Sequence, residues 1–140
     1  RRTLLVMLAD HGQLTTRKDP NYELASHPSL ARRLVMVPTG ENRLAYLYLR
    51  PGQSEAVEEY LTKTWSGAFQ VLNSTYALET GLFGPGEPAP QVTDRLGERT
   101  VISLHDSYLW WASKENPLIG RHGGLSEQEM LVPFFVRRLG

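Results

Sequence analysis

Residues 3–12 read TLLVMLADHG, an apolar run that ends abruptly in an aspartate, a histidine and a glycine. A continuous apolar stretch of this kind predicts a strand that is buried on both faces, as in a parallel sheet. A central strand is an unusual place for a natural chain to begin. We therefore expect these 140 residues to be a piece of a longer protein.

The polar end of this run is the first candidate site. In open α/β sheets, ligands bind beyond the carboxyl ends of the strands, which is where Asp10 and His11 stand. Asp10 offers an anionic oxygen and His11 offers an imidazole nitrogen, both of which are metal ligands. Gly12 allows the backbone to turn tightly and to approach a bound group. The alternative is a polar turn that ends the strand and has no further role.

A second candidate lies in residues 120–124, which read GRHGG. A histidine among three glycines is not a core histidine, and glycine permits close approach to a ligand. The alternative is a flexible surface loop with an exposed His122. Arg121 could meet a phosphate oxygen, but we expect it to be a solvent-facing charge. Metal-assisted hydrolysis needs ligands that converge from separate loops, so the two motifs together predict a metal site at Asp10, His11 and His122.

Composition limits what such a site can contain. The chain has no cysteine, which excludes disulfides, thiolate metal sites and cysteine nucleophiles. The remaining ligand types suit zinc, manganese or similar divalent ions. Fifteen basic and fifteen acidic residues balance, which argues against a nucleic-acid duplex or an anionic membrane as partner. No apolar run approaches the length of a membrane span.

Turn-forming residues and apolar runs divide the chain into four segments. Residues 1–22 form a predicted core strand and metal-binding loop, and residues 23–84 a small α+β lid. Residues 85–98 form a linker loop rich in proline and glycine. Residues 99–140 are predicted to return to the core with the second metal-binding loop and the last strand.

The lid segment alternates between strand and helix patterns. Val35–Val37 and Leu44–Leu49 are predicted strands joined by a hairpin, and Ala68–Leu72 is a predicted returning strand. Between them, Ser54 is a predicted N-cap of a helix. The apolar face of that helix consists of Val57, Tyr60, Leu61 and Trp65. This order of elements resembles a split βαβ unit.

Three further patterns belong to the last segment. Thr100–Leu104 and Leu131–Val136 are predicted strands, and Pro133 fits the beginning or the edge of the second one. Ser126 and Glu129 have the spacing of a capping box. Glu129 could instead support His122 from behind, but capping its own helix explains it without that role.

The two site motifs, in this order, resemble those of the alkaline phosphatase superfamily. The nearest branch is the type I phosphodiesterase/nucleotide pyrophosphatase proteins. The matching stretches are VMLADHG at residues 6–12 and HGGLSEQEMLVP at residues 122–133. The resemblance implies an α/β fold: the C-terminal part of an alkaline-phosphatase-like sheet domain with an inserted small α+β (split βαβ) lid.

The resemblance also implies roles for individual residues. Asp10 and His11 match the pair that binds one zinc, and His122 matches the histidine that completes the other zinc site. The nucleophilic Thr or Ser, an early Asp, and a further Asp with its His lie upstream in family members and are not in this chain. The isolated chain is therefore expected to be inactive, with a partial or empty metal site, and to need the remainder of the parent chain as a partner.

The reaction implied by the resemblance is the hydrolysis of phosphate esters, with a small phosphate ester or a nucleotide as substrate. Two divalent ions, zinc in the nearest branch, polarise a phosphoryl group, and the upstream hydroxyl forms a covalent phospho-enzyme. A sulfatase or a phosphomutase of the same superfamily is the first alternative. A non-catalytic binding module is the second.

Other polar and aromatic residues are given structural roles. His105 and Asp106 are expected to end a strand and start a turn, and His27 to stand at a helix start. Tyr108, Trp110 and Trp111 could line a substrate cleft, but core packing is expected because large aromatics are mostly buried. Three polar residues that follow the first candidate site could touch substrate or lie in a solvated loop: Gln13, Thr15 and Thr16.

Overall fold

The computed structural model of the chain describes residues 2–115 and 117–140, so Arg1 of the first predicted segment and Asn116 of the last one lie outside the described residues. Eight strands and five α-helices are present in these ranges. The strands are β1 (Thr3–Leu8), β2 (Leu14–Thr15), β3 (Thr39–Glu41), β4 (Leu44–Leu47), β5 (Phe69–Asn73), β6 (Arg99–Ser103), β7 (Gly120–Arg121) and β8 (Phe134–Leu139). The helices are α1 (Pro28–Ala31), α2 (Ser54–Thr64), α3 (Ser74–Glu79), α4 (Val92–Leu96) and α5 (Glu127–Met130).

The first and last strands form a two-stranded ribbon. β1 pairs with β8 in antiparallel register, from Thr3 opposite Leu139 to Leu8 opposite Phe134. The strand predicted from the apolar run is present, but its predicted burial is wrong for this chain. The apolar side chains of β1 are 45–63% exposed, and those of β8 are 42–69% exposed. Every residue of both strands is exposed, which shows that no described element covers either face of the ribbon.

A four-stranded sheet in the order β3-β4-β6-β5 forms the main body of the chain. β4 and β5 both run antiparallel to β6, so they are parallel to each other with β6 between them. Helix α2 connects β4 to β5, and this connection around an intervening strand is the predicted split βαβ unit. The sequence predicts β6 as a strand of the last segment, residues 99–140. Its place inside this sheet extends the small α+β unit through Ser103.

The predicted strand at Val35–Val37 is wrong. These residues are 47–60% exposed and form no strand, and only Leu34 makes an isolated bridge, to Leu49. Pro38 follows them and has no backbone N–H to continue a ladder. The edge strand instead begins at Thr39, and its pairing with β4 leaves a tight turn at Asn42 and Arg43.

The core lies between helix α2 and the sheet. Val57, Leu61 and Trp65 are almost fully buried, and Tyr60 packs beside them, which confirms the predicted apolar face. They meet Leu24, Leu30, Leu34, Ala45, Leu47, Leu49, Val101 and Leu109. Ser54 is the first residue of α2 rather than its N-cap.

The segment between α3 and β6 is less regular than the rest of the small unit. Residues 84–90 are irregular, as their proline and glycine content predicts. Helix α4 then forms within the predicted linker, and Leu96 on it is buried. None of the helices in the described ranges is long and apolar enough to span a membrane.

Candidate metal centre

Backbone pairing brings the two predicted metal loops together. The short strands β2 and β7 pair with Leu14 opposite Arg121, immediately after the first loop and immediately before His122. Beside them, the Gly12 N–H donates to the Glu129 carbonyl over 2.8 Å. His11 and His122, which are 111 positions apart in the sequence, therefore lie side by side.

Asp10 and His11 face the same space. The Nδ1 of His11 lies 2.7 Å from the Gly12 carbonyl oxygen. A carbonyl only accepts, so Nδ1 carries the proton and Nε2 keeps its lone pair. That Nε2 lies 3.7 Å from Oδ2 of Asp10. Two ligands of one tetrahedral zinc stand about 3.3 Å apart, given bond lengths near 2.0 Å. A small closing movement would place both atoms on one ion.

The Asp10 carboxylate is held in its anionic form. Hydrogen bonds from the backbone N–H groups of Asp10 and His11 lower the pKa of Asp10, and the nearby rings of His11 and His122 lower it further. Its side chain is exposed. The group is therefore ionised and accessible, as a metal ligand must be.

The His122 ring stacks on the His11 ring. The ring centroids are 3.7 Å apart and the planes differ by 16°. The nitrogen lone pair of an imidazole lies in the plane of its ring. The lone pairs of two stacked rings therefore lie in two nearly parallel planes and do not converge on one point. A centroid separation of 3.7 Å is van der Waals contact between the two rings. The two loops therefore touch through these histidines.

The donor set suits a divalent ion such as zinc or manganese. Asp10 has an anionic oxygen, and His11 and His122 have imidazole nitrogens. In residues 2–115 and 117–140, no group of three or more Asp, Glu, His or Cys is arranged to hold an ion without further ligands.

Two glycines are required by contacts within the site. A Cβ on Gly12 would lie 1.9 Å from the Gln128 carbonyl oxygen. A Cβ on Gly124 would lie 2.7 Å and 2.9 Å from the two carboxylate oxygens of Glu129. The glycines that were expected to approach a ligand thus first allow the two loops to pack closely against helix α5.

Arg121 is not the solvent-facing charge that its loop predicted. It is 6% exposed, and its guanidinium carbon lies 3.8 Å from the centre of the Tyr108 ring. Its Nε donates to Thr16 Oγ1 and its Nη1 to Asn42 Oδ1, each over 3.1 Å. Burial lowers the pKa of Arg121, although Tyr108 opposes this shift. The side chain ties the His122 loop to the turn between β3 and β4.

Glu129 does not form the predicted capping box. Ser126 makes no side-chain bond to the backbone of helix α5; its hydroxyl donates to Oε2 of Glu129 over 2.6 Å. The carboxylate also accepts from the Gly124 N–H over 2.9 Å and pairs with buried Arg43. Sequence reasoning missed Arg43, since an arginine in a hairpin turn is ordinarily a surface charge.

Most of the residues given structural roles have them. His27 begins α1 and is buried, with Nε2 donating to the Asn21 carbonyl. His105 lies in a turn after β6, with a φ of 50°. Tyr108 is buried and Trp111 packs against the core.

Trp110 is the exception among the aromatic residues. It lines a cleft of about 530 Å³ that also borders Arg121 and His122. The interpretation of Trp110 as a cleft residue is therefore the better one. The cleft opens directly beside the candidate metal centre.

Comparisons with known proteins support the fold. No family model and no curated protein matches the sequence. Among solved structures, murine ectonucleotide pyrophosphatase/phosphodiesterase 5 matches with a TM-score of 0.65 and 16% identity, over 95% of this chain and 33% of that chain. Phosphonoacetate hydrolase from Sinorhizobium meliloti 1021, in complex with phosphonoacetate, matches with a TM-score of 0.64 and 20% identity, over 95% and 35%.

The chain thus spans about a third of the length of the solved structures that it matches. Identities of this size establish a shared fold. The predicted fold class, α/β and forming part of a larger domain of this kind, is confirmed.

Proposed function

We propose that this chain, folded like the C-terminal part of an alkaline phosphatase superfamily enzyme, supplies half of the metal site of a phosphoric ester hydrolase. Its nearest functional class is a phosphodiesterase or nucleotide pyrophosphatase, with a phosphatase as the close variant. The nucleophilic Thr or Ser and the remaining ligands come from the rest of a longer parent chain. The 140 residues alone are expected to be inactive.

One observation carries this proposal. The His11 and His122 rings, from opposite ends of the chain, stack at 3.7 Å with Asp10 beside them. All three side chains are of the types that bind divalent ions. In a two-metal site, the ligands of neighbouring ions lie close together, as these three do.

The residues have separate tasks in this proposal. Asp10 and His11 would hold one divalent ion, with zinc as the first candidate, and His122 would help to hold the second. Ions bound there supply positive charge to a phosphoryl group. The Gly12 carbonyl orients the His11 ring by accepting its Nδ1–H, which leaves Nε2 for the ion. None of the three side chains acts as a general acid or base.

The substrate class is proposed from the cleft and from the structural neighbours. An inactive variant of the murine neighbour is described in complex with AMP, and the bacterial neighbour with phosphonoacetate. The cleft beside His122 has a volume of about 530 Å³, and its lining includes the Trp110 ring and the charged side chains of Lys114, Glu41 and Glu115. We propose a small phosphate ester or nucleotide, whose non-reacting part lies along this cleft.

The apolar ribbon of β1 and β8 is the proposed contact with the remainder of the parent chain. Its two faces are uncovered, although a strand of this composition is ordinarily buried on both. The matched structures are about three times the length of this chain. Further strands or helices of the parent would cover the ribbon and complete the sheet.

The test is an assay of the full-length parent with an aryl phosphodiester, an aryl phosphomonoester, an aryl sulfate and a phosphonate. We expect phosphoester hydrolysis that a chelator abolishes, and a loss of about 10²-fold or more with His122→Ala. His105→Ala, a histidine in a turn after β6, is the matched control and should retain activity. Chelator-resistant turnover, or preferred cleavage of the sulfate, would contradict the proposal.

A further inference from the structure

The hairpin between β3 and β4 packs against the second metal loop. Glu41 lies so close to Gly123 that a Cβ there would stand 2.5 Å from the Glu41 Cβ. Asn42 accepts from Arg121, the residue before His122. Three consecutive residues of this turn, Glu41 to Arg43, thus border the loop that carries His122.

Arg43 makes the deepest of these contacts. Its side chain is fully buried, and it donates from Nε to Oε1 of Glu129 over 2.5 Å and from Nη2 to Oε2 over 2.9 Å. Its Nη1 donates to the Ser107 carbonyl over 2.5 Å. A two-pronged pair of this kind fixes the relative orientation of both side chains, which a lysine could not do.

Glu129 connects its ion pair with Arg43 to both metal loops through hydrogen bonds. Its carboxylate accepts from the Gly124 N–H, two residues after His122. Its backbone carbonyl accepts from the Gly12 N–H, one residue after His11. One residue is therefore bonded beside each of the two stacked histidines, and its own position depends on Arg43.

The carboxylate is kept ionised in this buried place. Burial alone would raise the pKa of Glu129, but hydrogen bonds from Arg43, Ser126 and Gly124 outweigh it, so that the pKa lies below its ordinary value. A permanent charge with four donors around it resists rotation more strongly than a neutral group would.

From these contacts we infer that Arg43 and Glu129 are a positioning pair, which holds His11 and His122 at the separation that serves two neighbouring ions. The inference rests on the proposed metal site. It makes the small α+β unit a structural support for that site rather than a separate lid. Neither residue touches an ion or a substrate.

The test uses Arg43→Lys and Glu129→Asp in the full-length protein. Both variants keep the charges but lose the two-pronged geometry. The matched control is Lys63→Arg, the reverse exchange in an exposed ion pair with Glu59 on helix α2. We expect zinc affinity, measured by competition with a chromogenic chelator, to fall about 10- to 100-fold in the two variants, as for other residues that orient metal ligands. The control should bind like the wild type.

A second measurement does not require metal. In the metal-free protein, nuclear Overhauser contacts between the His11 and His122 rings should be strong in the wild type and the control. They should weaken in Arg43→Lys and Glu129→Asp, while the amide spectrum of the four-stranded sheet is preserved. A merely structural pair would change the stability and leave these ring contacts intact.

The outcomes separate the two claims. Unchanged ring contacts together with wild-type zinc affinity in both variants would overturn the positioning role. Absence of zinc binding by the wild type would overturn the proposed metal site, and the ring contacts would still decide whether the pair positions the histidines.

Discussion

At the scale of single residues, the glycines of the site show how little room the two loops have. Gly12 approaches the Gln128 carbonyl, and Gly124 approaches the Glu129 carboxylate. The sequence predicted that glycine was needed at both loops. It could not predict that the close neighbour would be helix α5, because the contact of Gly12 joins parts of the chain that are far apart in the sequence.

Gly12→Ala should destabilise the protein because its methyl group would overlap a backbone oxygen, which cannot swing away. Overpacking of this kind costs about 1–3 kcal/mol, measured as the free energy of unfolding in urea. Gly120→Ala is the matched control, because its Cβ would meet only the flexible end of Gln13, at 3.3 Å. Equal stability losses in the two variants would contradict the close packing of the first loop on α5.

The ionised state of Glu129 leads to a prediction about acid stability. Its pKa is lower in the folded protein than its ordinary value of 4.5. The stabilisation is therefore fully present above about pH 4.5 and is lost as the pH falls through the lower folded-state value. The free energy of unfolding of the wild type should fall more steeply below pH 4.5 than that of Glu129→Gln. Glu127→Gln, an exposed carboxylate on the same helix, should keep the wild-type slope.

At the scale of elements, helix α2 is the part of the fold that the sequence predicted best. Its apolar residues recur at helical spacing, and burial of that face needs no knowledge of distant partners. The sequence predicts the edge strand at Val35–Val37, four residues before the observed strand begins at Thr39. The apolar run favours a strand, but Pro38 cannot continue its backbone hydrogen bonds. The position of β6 could not be predicted, since a central antiparallel strand carries no local signal of its neighbours.

Leu61→Ala tests the packing of α2 on the sheet. Leu61 is 1% exposed, and its truncation should lower the free energy of unfolding by about 2–5 kcal/mol. Leu131→Ala, at a leucine that is 71% exposed, is the matched control and should change stability little in the 140-residue chain. Similar effects of the two substitutions would contradict the assignment of α2 to the core.

At the scale of the whole molecule, the chain combines a packed α+β unit with an uncovered apolar ribbon. The sequence predicted β1, and it predicted a last strand at Leu131–Val136, whereas β8 begins at Phe134, directly after Pro133. The exposure of the ribbon could not be predicted from these 140 residues, because the burial of a strand depends on what packs against it. The order of the two motifs predicted that the three site residues belong together, whereas Arg43 is connected to them only by the folded sheet.

The ribbon leads to a prediction about the isolated chain. Uncovered apolar surface of this kind promotes association, so the 140 residues should self-associate and bind a hydrophobic dye, as judged by light scattering and dye fluorescence. Val6→Lys with Phe135→Lys should reduce both signals, whereas Val35→Lys, at an exposed valine of the small unit, should not. Equal signals from the isolated chain and the full-length parent would contradict the idea that the parent covers the ribbon.

The proposed site, in which Asp10, His11 and His122 serve two neighbouring ions, can be observed by anomalous diffraction from crystals of the full-length protein soaked with zinc. We predict two peaks about 3.5–4 Å apart, one beside Asp10 and His11 and the other beside His122. A single ion shared by both rings, or zinc bound only elsewhere while these side chains remain free, would contradict the account.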